Sequence, residues 1–159
     1  MDEFVALAGP LFEHSPWIAE AAAAQRPFRT VDEMHRAMLG VVAGSPLEKK
    51  LALIRAHPDL AGKLAISGDL TEQSNTEQRS ARLDRLSPDQ FARISAWNGR
   101  YTTRFGFPFV ICVRDHTQEQ IFQAFEHRLA LSPDEEMETA LIQIGRIAWH
   151  RLNDLIPAE

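Results

Sequence analysis

The chain has 159 residues, a formal net charge of -5 at pH 7, 45% hydrophobic and 25% charged residues, and one cysteine. The mildly acidic balance gives no electrostatic footprint for nucleic acid, no apolar run approaches the roughly 20 residues that cross a bilayer, and a single cysteine excludes an intrachain disulfide or a cysteine metal cluster. The length suits one domain over residues 1–159, large enough to bury roughly two-thirds of its unfolded surface. The first residues, MDEFVALAGPLFEH, are acidic where a secretory signal would be basic, and the single cysteine fits a reducing cytoplasm.

Phe4, Leu7 and Ala8 give a weak apolar face that Pro10 interrupts. Trp17–Ala24 continues as an alanine-rich helix and stops at Arg26-Pro27. Thr30, with Glu33 three residues on, marks a capped start. The helix behind it carries Val31, Met34, Met38, Val41 and Val42 at helical spacing and ends at Gly44. Ser45-Pro46-Leu47-Glu48 reads as another start, with Ser45 as cap and Pro46 at the first helical position. That helix runs into LALIRAHPDLAGK and breaks at His57-Pro58, because a residue before proline is pushed out of helical geometry. Asp59–Leu70, with Gly62 and Gly68, reads as a loop, and loops of that length inside a domain are often functional.

Ser74 and Glu77 have the spacing of a capping box. Ser87-Pro88-Asp89-Gln90 repeats the start signal and opens a helix with Phe91, Ile94, Trp97, Tyr101 and Phe105 as its apolar stripe. Gly106 closes it. Residues 107–113 form the one strand-like run, which Pro108 demotes to an edge or extended segment. With no partner strand, no sheet is predicted. Thr117 to Gln120 opens the next helix, with Ile121, Phe125 and Leu129 inward, and Ser132-Pro133-Asp134-Glu135 opens the last. The spacing predicts an all-α fold of about seven or eight helices in a single multi-helix domain, with one short extended segment near 107–113.

Three polar residues stand out from this pattern. His57 falls at a helix end, where the partial negative charge favours a protonated imidazole. It is placed for acid or base work, although a lone histidine is more often a surface or satisfied core residue. In the last helix Met137, Leu141, Ile144, Ala148 and Leu155 make one stripe, and Arg151 falls on it. An inward arginine either snorkels or pairs with a buried carboxylate, or its planar fork holds an anion. Glu77 either caps Ser74 or, if its face meets His57, orients the imidazole and favours its charged form. Cys112, among Val110, Ile111 and Val113, reads as a buried, inert thiol. The other histidines show no ligand spacing, and no P-loop, nucleophile elbow or dinucleotide fingerprint is present. No metal or cofactor is implied.

Taken together these segments resemble the 2-oxo-4-hydroxy-4-carboxy-5-ureidoimidazoline (OHCU) decarboxylase family of uric acid degradation. The resemblance runs over nearly the whole chain: FEHSPWIAE and RPF, LIRAHPDL, Ser74-x-x-Glu77-Gln78, Asn98-x-x-Tyr101-x-x-x-Phe105-Gly106-Phe107-Pro108-Phe109-Val110, and the terminal Arg151-Leu152. HPDLAGK and FGFPFV, in that order and spacing, are its most specific parts. It implies an all-helical, often homodimeric, cofactor-independent lyase that turns OHCU into (S)-allantoin and carbon dioxide. By position, His57 matches the catalytic histidine and Glu77 its partner carboxylate. Pro58, Ser74 and Gln78 match substrate-contacting positions, Arg151 the arginine that anchors the substrate, and Phe107, Phe109 and Ile111 a further wall of the site. The chain departs from the family pattern at Arg79, Ser80 and Arg82, and at Ala130-Leu131-Ser132, where packing or a subunit contact is at stake. A helical binding domain with a structural His-Pro turn is the second function class, and a metal-dependent hydrolase the third. Convergence of His57, Glu77 and Arg151 on one pocket would separate the first class from the second.

Overall fold

Local capping sets most of the helix starts. The computed structural model describes residues 2–61 and 70–157, so most of the Asp59–Leu70 loop lies outside the described residues. Among the described residues there are eight α-helices and no strand, in line with the all-α expectation. They are α1 (Glu3–Ala8), α2 (Trp17–Ala22), α3 (Val31–Ala43), α4 (Leu47–Arg55), α5 (Glu72–Ser80), α6 (Pro88–Phe105), α7 (Gln118–Leu129) and α8 (Pro133–Leu155). None is long and apolar enough to cross a membrane. The chain divides into two compact units, Met1–Ala56 with Ile144–Glu159, and His57–Gln143.

In the first unit Asp2 caps α1 by accepting the Phe4 N–H at 2.9 Å. Thr30 caps α3 as predicted, accepting from the Glu33 N–H at 3.1 Å. The predicted start at Ser45 is different. Pro46 occupies the N-cap of α4, and the Ser45 hydroxyl turns back to donate to the Val41 carbonyl at 2.6 Å. Ser45 thus serves the end of α3 instead of the start of α4. The small residues of α2 allow it to pack closely on α3, with Ile18, Ala19 and Ala22 buried on one helix and Met34, Met38 and Val42 on the other. The second half of α8 adds Ile144, Ala148 and Leu152 to this core. A side chain at Gly145 would place its Cβ 3.0 Å from a Leu39 methyl, so the small residue permits the approach.

In the second unit the predicted boxes at Ser87/Gln90 and Thr117/Gln120 are both formed. Ser132 and Glu135 exchange the same pair of bonds, at 3.3 and 2.9 Å. Gly106 ends α6 in the left-handed region at φ 75°, where a missing Cβ removes the steric cost. The stripe of α6 buries Ile94, Trp97 and Tyr101, while Phe91, in the first turn, is 38% exposed. Aromatic rings fill the core: Phe109 stacks on Phe125 with centroids 3.7 Å apart, and Tyr101 meets Phe109 edge-on at 5.3 Å. The buried face of α8 differs from the predicted stripe. It carries Glu136, Ala140, Ile144, Ile147, Ala148, Arg151 and Leu152, whereas Leu155 is 45% exposed. Arg151 lies on the buried face, as its position in the sequence indicated.

Candidate active site

The turn that follows α4 is built from main chain with no helix or sheet to pair it, so side chains supply the partners. α4 ends at Arg55, one residue before the Ala56 cap, and His57 comes next in sequence. His57 is buried, as are Leu60 and Ala61. Gln78, from α5, spans the turn with both ends of its carboxamide. Its Oε1 accepts from the Ala61 N–H at 3.0 Å, and its Nε2 donates to the Asp59 carbonyl at 3.3 Å. Asn98, from α6, donates through Nδ2 to the Leu60 carbonyl at 2.9 Å. Ala61 itself sits at φ 47°, a left-handed conformation that a residue with a Cβ adopts only when its surroundings hold it.

α5 corrects the reading of Ser74 and Glu77. Thr71 is the N-cap, accepting from the Ser74 N–H at 3.3 Å, and the helix begins at Glu72. Ser74 is therefore inside the helix, and Glu77 lies beyond its first turn, so capping does not account for the glutamate. Residues three and four apart share a face of a helix, which groups Ser74, Glu77 and Gln78. Ser74 and Gln78 are buried and Glu77 is half-buried. Of the predicted site residues, these three share a face of α5, and Gln78 ties that helix to the turn bearing His57 and Pro58.

The extended segment is held by groups that sequence reading did not single out. Phe107, Phe109, Val110 and Ile111 are all buried. Arg128, on α7, donates through Nη1 to the Val110 carbonyl at 2.7 Å, and its guanidinium lies 4.2 Å from the centre of the Phe109 ring. Arg128 is itself compensated by Glu136 on α8, whose Oε1 accepts from Nε at 2.8 Å and also from Nη2 and the Tyr101 hydroxyl. Burial and the bond to Glu136 push the Tyr101 phenol well above its ordinary value, which keeps it a donor. The Cys112 N–H donates to Gln143 Oε1 at 2.9 Å. Burial, reinforced by the Asp115 charge, pushes the Cys112 thiol up to about 12, consistent with an inert side chain. Glu136 does not stand out in the sequence because an acid in the first turn of a helix is ordinary. Its spacing of eight from Ile144, on the same face, was the available signal.

Arg151 belongs to the first unit. Its guanidinium pairs with Glu13 at 3.1 Å, and both side chains are almost wholly buried. Nη1 also lies 3.5 Å from the Leu11 carbonyl. The buried carboxylate that an inward arginine needs is thus a residue of the FEHSPW segment. Glu13 is turned inward by a tight bend: Ser15 Oγ donates to the Glu13 carbonyl at 2.9 Å, and His14 takes a positive φ of 47°.

The profile of a family described as OHCU decarboxylase matches residues 1–153. The chain is 42% identical over 158 residues to the 2-oxo-4-hydroxy-4-carboxy-5-ureidoimidazoline decarboxylase of Haloferax volcanii, covering 99% of this chain and 92% of that one. It is also 42% identical over 148 residues to the uric acid degradation bifunctional protein of Bacillus subtilis, covering 93% of this chain and 29% of that one. Among solved structures it is similar to an (S)-allantoin synthase, with a TM-score of 0.77 and 30% identity over 97% of this chain. The chain spans half the length of that synthase.

Proposed function

This chain belongs to the OHCU decarboxylase family, and we propose that it decarboxylates OHCU to (S)-allantoin and carbon dioxide in uric acid degradation, with no cofactor. The observation that carries the proposal is the family match along residues 1–153. The buried His57, in a turn tied down by Gln78 and Asn98, supports the role given to the histidine. The substrate bears a hydroxyl and a carboxylate on one ring carbon, beside a C=N bond. Breaking the bond to the carboxylate releases carbon dioxide. The electron pair left behind forms a double bond to the neighbouring carbon, and the C=N electrons move onto nitrogen, which takes a proton. The resulting enol then becomes the ring amide carbonyl as its hydroxyl loses a proton and the neighbouring carbon gains one. The substrate is its own electron sink, so the protein has to orient it, move protons and choose a face.

His57 exchanges the proton with the hydroxyl and the neighbouring carbon, and Glu77 holds the imidazole. Pro58, Ser74, Gln78 and the segment containing Phe107, Phe109 and Ile111 border the substrate. Arg151 anchors it through the guanidinium fork. We extend the proposal, on the family resemblance, to a cytoplasmic homodimer in which the two units of each chain act as one domain.

A circular dichroism time course on freshly generated OHCU tests the activity. The expected result is faster decay than the spontaneous rate, with growth of one optically active allantoin signal. Decay at the spontaneous rate with a folded protein, or a racemic product, overturns it. Arg151→Lys tests the anchor. Lysine keeps the charge as a point but loses the fork, so KM is expected to rise about tenfold, equivalent to about 1.4 kcal/mol of binding, with kcat changed less. An unchanged KM in the folded variant would assign Arg151 to packing against Glu13 alone.

A further inference from the structure

We propose that Asn98 is a positioning residue. By holding the Leu60 carbonyl it fixes the main chain after Pro58 and so aims the His57 imidazole, without itself touching substrate. The inference rests on the role given to His57 above and extends it to a residue on a different helix, 41 positions further along the chain.

Three consecutive residues of the turn are tied by two carboxamides. Gln78 takes the Asp59 carbonyl and the Ala61 N–H, and Asn98 takes the Leu60 carbonyl that lies between them in the chain. Asn98 approaches from α6 and Gln78 from α5, so the turn is held from two helices at once. Pro58 restricts φ at one end. At the other, Ala61 is kept at a positive φ that an alanine would leave if released. Freeing the Leu60 carbonyl would therefore let the segment relax, and His57 is only three residues away.

The chemistry of the Asn98 side chain supports a positioning role. The residue is 9% exposed, and its Oδ1 has no partner among the described residues. The side chain thus acts through its donor alone. A buried acceptor left unmatched costs stability, and an apolar residue here would only move that cost to the Leu60 carbonyl. What the amide adds is one hydrogen bond to one carbonyl.

Asn98→Asp is the sharpest test. It keeps the shape but sets a carboxylate oxygen against the Leu60 carbonyl in place of the N–H. The expected result is a fall in kcat of about tenfold to a hundredfold, the scale set by small misplacements of a reacting group, with KM little changed. The His57 ring signals and the Ala61 amide in NMR spectra are expected to shift, and the Ala61 amide to exchange faster with solvent. Wild-type kcat, or unmoved His57 and Ala61 signals, would overturn the proposal. If Asn98→Asp does not fold, Asn98→Leu, which removes the donor to the Leu60 carbonyl without adding a charge, is judged on the same criteria. The NMR readouts do not depend on turnover. Failure of the wild-type protein to accelerate OHCU decay would remove the decarboxylase proposal alone, while unmoved signals would remove the positioning role alone.

Discussion

Glu136→Ala is expected to destabilise the protein by about 3–5 kcal/mol, the usual result of removing one partner of a buried ion pair. Arg128 and Glu136 are 5% and 0% exposed at their side chains. Three donors converge on Glu136 Oε1: Nε and Nη2 of Arg128, and the hydroxyl of Tyr101. Alanine would strip all three at once, leaving a buried guanidinium without its counter-charge and a buried phenol without an acceptor. Against a total stability of about 5–15 kcal/mol for a protein of ordinary stability, such a loss would leave little margin. Urea unfolding followed by helix content measures it, and a loss below about 1 kcal/mol, the scale of an exposed pair, would contradict the buried arrangement. The double variant Glu136→Met with Arg128→Met sharpens the point. Removing both charges together is often neutral or stabilising, so it is expected to recover much of the loss. With Arg128 gone the Val110 carbonyl would lose its donor from α7, while the Phe109–Phe125 stack would remain between the segment and that helix.

That pair also shows where legibility in the sequence stops. Signals that act within three or four residues were readable: Thr30, Ser87, Thr117 and Ser132 all cap as their spacing indicates. The same pattern misled at Ser45 and Ser74, because a serine three residues before a glutamate is compatible with a cap but does not fix where the helix begins. Pro46 and Thr71 took those positions. Arg151 was legible since a long helix gives its stripe enough repeats to mark an intruder. Its partner Glu13, 138 positions away, was not. The ties of Asn98 to Leu60 and of Arg128 to Val110 are likewise tertiary. No local periodicity encodes which carbonyl a side chain will meet, so the residues that hold the candidate site were harder to read than those that form it.

The second large effect is expected at His57. His57→Ala should lower turnover at least about a hundredfold, within the range that a positioned acid or base contributes. The fold should survive the change, because the ties to Asp59, Leu60 and Ala61 run through main-chain groups that alanine leaves in place. The loss should therefore appear in kcat of a protein that still folds. Binding should be affected less, since the guanidinium of Arg151 and the Phe107–Ile111 segment are untouched by the substitution. The readout is the initial rate of OHCU decay above the spontaneous background, together with the optical purity of the allantoin formed. If His57 delivers the proton to one face, the slow residual reaction should yield a product close to racemic, because the uncatalysed step has no preferred face. Near-normal turnover in a folded His57→Ala protein would sink the assignment. Reduced turnover with full optical purity would instead separate the two duties, leaving His57 the proton transfer and giving the choice of face to the groups that border the ring.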